Sequence, residues 1–132
     1  MAQFRTEYAR QFIVIASVLG FTGVGLGAFG AHALKSIVSS DMLSVFETAV
    51  RYQMYHAFAL AVVAWALDGG QNRTIRIAGW LFVAGVILFS GSLYLLVLTA
   101  SRGFGFITPF GGVSLLGGWL LLALGFWKNT SG

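Results

Sequence analysis

From Gln11 to Leu34 the chain carries no aspartate, glutamate, lysine or arginine, and three comparable stretches follow it. The second is uncharged from Tyr52 to Leu67, the third lies between Arg76 and Arg102, and the fourth between Arg102 and Lys128. A bilayer's hydrocarbon core, about 30 Å thick, is crossed by roughly 20 helical residues. In that medium only a helix or a closed barrel satisfies every backbone N–H and C=O. These runs are long and do not alternate, so they read as helices. The expected fold is all-α: a polytopic membrane protein whose single domain, residues 1–132, is a four-transmembrane antiparallel helical bundle. Its spans are expected at about 11–34, 45–67, 75–100 and 107–127.

Composition excludes the alternatives. Soluble domains carry roughly 25% charged residues, whereas this chain is 9% charged and 58% hydrophobic. The net charge of +4 does not indicate nucleic acid, because the eight basic residues are scattered singly and form no patch. They read instead as anchors at membrane ends. With no cysteine there is no disulfide, no thiolate nucleophile and no cysteine metal site. The first apolar run is too long for the core of a cleaved signal peptide, so it reads as a retained span.

The connections are short, as antiparallel neighbours require. In "SSDMLSVFETAV", Asp41 is a candidate N-cap and Ser44 with Glu47 a capping-box pair, which starts the second helix before the membrane. "DGGQNRT" reads as a turn, "SRGFG" as a second tight link, and Pro109 fits the start of a fourth helix. Arg5, Arg10, Arg73, Arg76 and Lys128 fall on one side, against Lys35, Arg51 and Arg102 on the other. The positive-inside rule then puts both termini in the cytoplasm.

Glycine costs a soluble helix about 1 kcal/mol against alanine, yet it stands at 20, 23, 25, 27 and 30 of the first span. Lipid tails are as apolar as leucine, so helices in a bilayer associate by close packing, which small residues permit. Gly23, Gly27 and Ala31 share one face, Ala16 and Gly20 line a neighbouring strip, and Gly30 widens the surface. Gly85 and Gly91 repeat the device in the third helix, and Gly111, Gly112, Gly117 and Gly118 in the fourth. Gly25, Gly27 and Gly30 also match a fragment of a dinucleotide loop, but that loop needs a preceding strand and a later acid, and neither is here.

Helix alternation gathers the polar residues at one end. His32 falls at the far end of the first helix, Glu47, Arg51, Tyr52, Gln53 and His56 in the first half of the second, Ser90, Ser92 and Tyr94 late in the third, and Thr108 and Ser114 early in the fourth. Glu47 and Arg51 have the favourable order for a helical ion pair. Tyr52 and His56 point roughly away from that face. Ionisable groups inside a span default to a functional reading. The expectation is one hydrogen-bonded network of His32, Glu47, Arg51, His56, Ser92, Tyr94 and Thr108, anchored by the Arg51 guanidinium.

"LGAFGAHAL", "ETAVRYQMYHAFAL", "LFSGSLY" and "ITPFGGVSLLGGW" resemble, in order and spacing, the YgdD-like family of small inner-membrane proteins, known as domain-of-unknown-function family 423, which has a small mitochondrial relative in animals. The resemblance covers nearly the whole chain. It implies four spans and a bacterial inner membrane, and it supplies no catalytic residue. Its signature positions here are Gly27, Gly30, His32, Glu47, Tyr52, Gln53, His56, Ser90, Gly91, Ser92, Tyr94, Thr108, Pro109 and Gly111.

The functional expectation is a non-catalytic interaction or accessory module without a cofactor, contacting the lipid bilayer and a membrane-protein partner or a second copy of itself. One alternative is a transporter or channel component for protons or a small solute, resting on His56. Another is a metal site using His32 and His56 with Met54 or Glu47. An intramembrane hydrolase is weaker still, since no serine stands in a recognisable motif. Orientation has a direct test, because the chain offers no cysteine of its own. Cysteines introduced at Ser36 and Gly103 should react with an impermeant maleimide added outside intact cells, while one at Gln71 is protected. The reverse pattern inverts the protein in the bilayer.

Overall fold

The computed structural model describes residues 3–129; residues 1–2 and 130–132 of the expected domain lie outside the described residues. Four helices follow one another: α1 (Glu7–His32), α2 (Ser40–Asp68), α3 (Arg73–Thr99) and α4 (Thr108–Asn129). Single 3-10 segments, Leu34–Ser36 and Arg102–Phe106, fill the α1–α2 and α3–α4 connections, and no strand occurs among the described residues.

The helix boundaries have local causes. Thr6 starts α1 before the expected Gln11: its hydroxyl oxygen accepts from the Ala9 N–H at 3.1 Å and its O–H donates to the Leu67 carbonyl at 3.2 Å. Ser39, and not Asp41, caps α2, because its extended backbone aims Oγ at the Met42 N–H. Asp41 lies instead in the first turn, where a carboxylate faces the positive end of the helix dipole. The expected pairing of Ser44 with Glu47 is not used, since Ser44 is already inside the helix and its carbonyl takes the Thr48 hydroxyl. Asn72 caps α3 through Oδ1 and uses Nδ2 to reach the Gly125 carbonyl of α4. α3 stops at Ala100, whose left-handed φ of 54° breaks the helix without a glycine. Pro109 sits in the first turn of α4, where no backbone donor is needed.

Three segments are long and apolar enough to cross a membrane: Glu7–Ser36, Arg73–Thr99 and Arg102–Asn129. α2 falls short on composition because Arg51, Gln53 and His56 stand within it. It nevertheless runs beside its neighbours from end to end. Phe46 meets Gly30 near its start, and its last residue, Asp68, accepts from the Arg5 N–H. The chain is thus an all-α helical membrane bundle, in which α2 and α3 are central and α1 and α4 flank them.

Glycines set the register. Along α3 and α4, Ser92 faces Thr108, Phe89 faces Gly111, Gly85 faces Leu115, Phe82 faces Gly118 and Ile75 faces Gly125. Each step forward in α4 is matched by an equal step back in α3, so the pair is antiparallel along its whole length. α1 and α2 are likewise antiparallel, meeting through Gly30 with Phe46, Gly27 with Val50 and Gly23 with Met54. Phe12, Leu60, Val63, Ile75 and Phe82 fill the core nearer the chain termini, and Leu34, Phe46 and Val97 form a smaller one at the other end.

Several expected packing positions do not pack. A Cβ at Gly20 or Gly91 would meet nothing, one at Gly112 would only touch Phe89 at 3.9 Å, and Ala31 is exposed. The contact strip on α1 passes through 23, 27 and 30, which turns Gly20 and Ala31 to its margins. Gly79 and Gly125, absent from the expectation, are enclosed by Phe12 and Ile75 respectively.

The tightest approach is at Gly111, where an added Cβ would collide with backbone atoms of Phe89. Backbone cannot rotate aside, so Gly111→Ala should separate α3 from α4 and cost about 1–3 kcal/mol. Gly20→Ala, with open space, should cost nothing. Unfolding titrations in mixed detergent micelles compare the two, and equal midpoints would contradict the assigned register.

Candidate functional site

Gln53 sits on the α2 face turned to both α1 and α3, and it is 4% exposed. Its Nε2 donates to the Leu19 carbonyl at 2.9 Å and to the Thr22 hydroxyl at 2.8 Å, both on α1. Its Oε1 accepts from the Tyr94 hydroxyl of α3 at 2.6 Å. Thr22 passes its own proton to the Val18 carbonyl at 2.8 Å. Donors therefore point one way along a chain from Tyr94 through Gln53 to α1, an arrangement in which each bond polarises the next.

His56 lies one turn further along α2, buried, and bonds on a different side. Its Nδ1 is 2.6 Å from the Tyr52 carbonyl, which can only accept, so Nδ1 carries the proton. Its Nε2 takes the indole N–H of Trp119 on α4 at 3.1 Å, which requires a lone pair there. The two bonds together select the neutral Nδ1–H tautomer and leave neither ring nitrogen to a metal. Phe82 and Trp119 pack around the ring at 5.5 and 5.9 Å between centroids.

Three further bonds join neighbouring helices. The buried Ser90 hydroxyl donates to the Ala49 carbonyl at 2.7 Å, Ser92 and Thr108 share a hydroxyl bond at 2.6 Å, and Ser114 donates to the Leu81 carbonyl at 2.8 Å. Among the described residues, no buried side-chain nitrogen or oxygen lacks a partner.

The expected single network is therefore corrected. Tyr94, Ser92, Thr108, Ser90 and His56 do bond across helices, but in separate pairs, and Gln53 occupies the hub assigned to Arg51. His32, Glu47 and Arg51 are exposed, and neither carboxylate nor guanidinium forms an ion pair among the described residues. The reason is directional: positions 47 and 51 lie on the α2 face that neither α1 nor α3 covers. Tyr52 contributes its carbonyl and its ring, which packs on Phe89 at 4.6 Å. Thr22 and Trp119 were not among the expected partners. The buried face of α4, through Gly111, Leu115, Gly118, Leu122 and Gly125, would have placed Trp119 at its edge. Thr22 had only its place beside Gly23 to mark it.

α2 and α4 both lean on α3 and meet each other chiefly where His56 touches Trp119. Beside that contact they leave a lateral groove of about 450 Å³ lined by Tyr52, Tyr55, His56, Phe89, Gly112, Leu115, Leu116 and Trp119. Its volume is in the range of small-molecule sites. The Tyr52 and Tyr55 hydroxyls at its rim make no hydrogen bond among the described residues. No group of three or more metal-ligating side chains occurs among those residues.

The family described as a protein of unknown function (DUF423) matches residues 26–112. The chain is 45% identical over 117 residues to a UPF0382 membrane protein of Staphylococcus aureus, covering 89% of this chain and 95% of the relative. It is 43% identical over 114 residues to the UPF0382 membrane protein YwdK of Bacillus subtilis, covering 86% and 93%. No solved structure matches it.

If Gln53 ties α1 to α3 through α2, Gln53→Leu and Tyr94→Phe should remove a shared bond. Interhelical bonds in membrane proteins average about 0.6 kcal/mol and reach about 1.7, and the two substitutions should couple by an amount in that range in a double-mutant cycle. Strict additivity of the unfolding free energies would show that the bond contributes nothing.

Proposed function

Because this chain belongs to the DUF423 family, with UPF0382 membrane proteins as its relatives, we propose that it is a non-catalytic interaction module of the bacterial plasma membrane. Both termini lie in the cytoplasm, following the distribution of its basic residues. The observation that carries the reading is the contrast between interior and groove. Among the described residues, each buried polar side chain, Gln53, His56, Ser90 and Ser92, bonds a neighbouring helix, so these groups are engaged in holding the bundle together. The groove between α2 and α4 is the place where aromatic surface and unpartnered hydroxyls converge, and it opens sideways toward the bilayer. A molecule that approaches within the membrane meets it directly.

His56 supports this reading against transport. A proton carrier must accept and release a proton, and the Trp119 N–H already occupies its acceptor nitrogen.

A photoreactive residue at Leu116, in the groove wall, should give a discrete adduct on illumination of native membranes. One at Val113, which is 69% exposed but outside the lining, should not. Reconstituted vesicles should show no protein-dependent proton or solute flux. Equal labelling at the two positions, or a flux abolished by His56→Gln, would overturn the proposal.

A further inference from the structure

We infer that the outward face of α2 is where two copies of this chain meet in the membrane, with Arg51 of each copy bonded to Glu47 of the other. The inference goes beyond the groove, which lies on the neighbouring side of α2 and is not needed for it.

Six exposed residues mark the face: Glu47, Arg51, Tyr55, Phe58, Val62 and Trp65. At about 100° per residue they fall within about 80° of the helix circumference. α1 meets α2 elsewhere, at Val50 and Met54, and α3 meets it at Ala49 and Gln53. Trp65 rests on Phe126 of α4 by one ring contact and is still 68% exposed, as is Phe58. From Arg51 onward the marked residues are four, three, four and three positions apart. That is the seven-residue repeat by which one helix keeps a continuous seam against a second.

Depth follows from the cross-helix bonds. α2 and α3 run antiparallel and meet where Ser90 bonds Ala49, while Ser92 bonds Thr108, the first residue of α4. Two residues on in α3 correspond to two residues back in α2, so Glu47 is level with Ser92 and with the start of α4. Arg51 lies one turn deeper, by about 6 Å at 1.5 Å per residue. Both side chains are exposed, and they form no ion pair among the described residues. An ionisable group within a span belongs in a bundle interior or a watered cavity. These two point out of the four-helix unit, so the interior that receives them is one formed between chains.

The pattern of charge selects the partner. An acid and a base stand one turn apart on the same stripe. A two-fold axis along the membrane normal sets equal residues of two copies at equal depth, as a self-complementary interface requires. Each Arg51 then has the other copy's Glu47 a turn above it, within reach of a guanidinium that can hold a carboxylate by two parallel bonds. The four charges sum to zero. A surface of one sign, such as an anionic leaflet, would attract Arg51 and repel Glu47. Below the charged layer the same axis brings Phe58 of one copy against Phe58 of the other.

The chain has no cysteine, so one introduced thiol reports on one position. In oxidised native membranes, Phe58→Cys should give a disulfide-linked dimer. Ile87→Cys, equally accessible at 65% exposure but on α3 across the bundle from this face, should not. In the Phe58→Cys background, Glu47→Arg or Arg51→Glu alone places like charges at the interface and should lower the linked fraction about tenfold or more. Co-expressed with different tags, those two charge variants are complementary only to each other. The disulfide between them should return to the level of Phe58→Cys, which also shows that both fold. A monomeric Phe58→Cys, equal linking at positions 58 and 87, or no recovery in the mixed pair would overturn the inference. A discrete adduct from Leu116 beside a monomeric Phe58→Cys would do so while leaving the groove reading in place.

Discussion

The carboxamide of Gln53 is bonded to α1 on one side and to α3 on the other, and the rest of the bundle is arranged around that crossing. Hydrocarbon offers no hydrophobic force between helices, so an uncommitted amide in a span would be a liability. Here the liability is converted into a constraint on geometry. Two donor hydrogens and one acceptor oxygen must find Leu19, Thr22 and Tyr94 at once. That fixes the rotation of α2 about its own axis and the depth at which α1 and α3 lie beside it.

Close approach then completes what the amide begins. The bonds from Gln53 reach α1 only because Gly23 lets the two helices come together there; a Cβ on that glycine would stand 2.5 Å from the Met54 sulfur. The α3–α4 pair relies more on glycine and less on polar contact. Gly85, Gly111, Gly118 and Gly125 follow one another down a single seam, and Ser92 with Thr108 closes its end. Large side chains from the partner helix, Phe82, Phe89, Ile75 and Leu115, occupy the space that the missing side chains leave.

With α2 committed to α1 and α3 by one face, its remaining polar groups divide by direction. His56 is enclosed by Phe82 and Trp119 and serves as a bridge to α4. Tyr52 and Tyr55 look across to α4 over a gap that no backbone closes. Glu47 and Arg51 face outward. A single helix thus combines structural bonding with a surface left open at membrane depth, and this makes it both the least apolar of the four and the most enclosed.

Helix number and order were legible in the residues, because uncharged length is set by bilayer thickness and the turn chemistry of Gly70 and Asn72 is local. The use of glycine for contact was legible as well, as a property of the medium; helical period put Gly23 and Gly27 on one face but carried that face on to Ala31, where the packed strip turns to Gly30. What sequence could not decide was which of several polar faces on α2 would be covered. Spacing puts Glu47 four residues before Arg51, and it puts Gln53 on a different face with nothing local to recommend it. Only the packing of α1 and α3 against that side buried the amide and left the charged pair outside. The pairing of Trp119 with His56 joins residues 63 apart in the chain, so no local pattern encodes it. Bilayer thickness and backbone chemistry act on each segment separately and can be read from it, whereas the choice of partner depends on the rotation of one helix against another, which exists only in the assembled bundle.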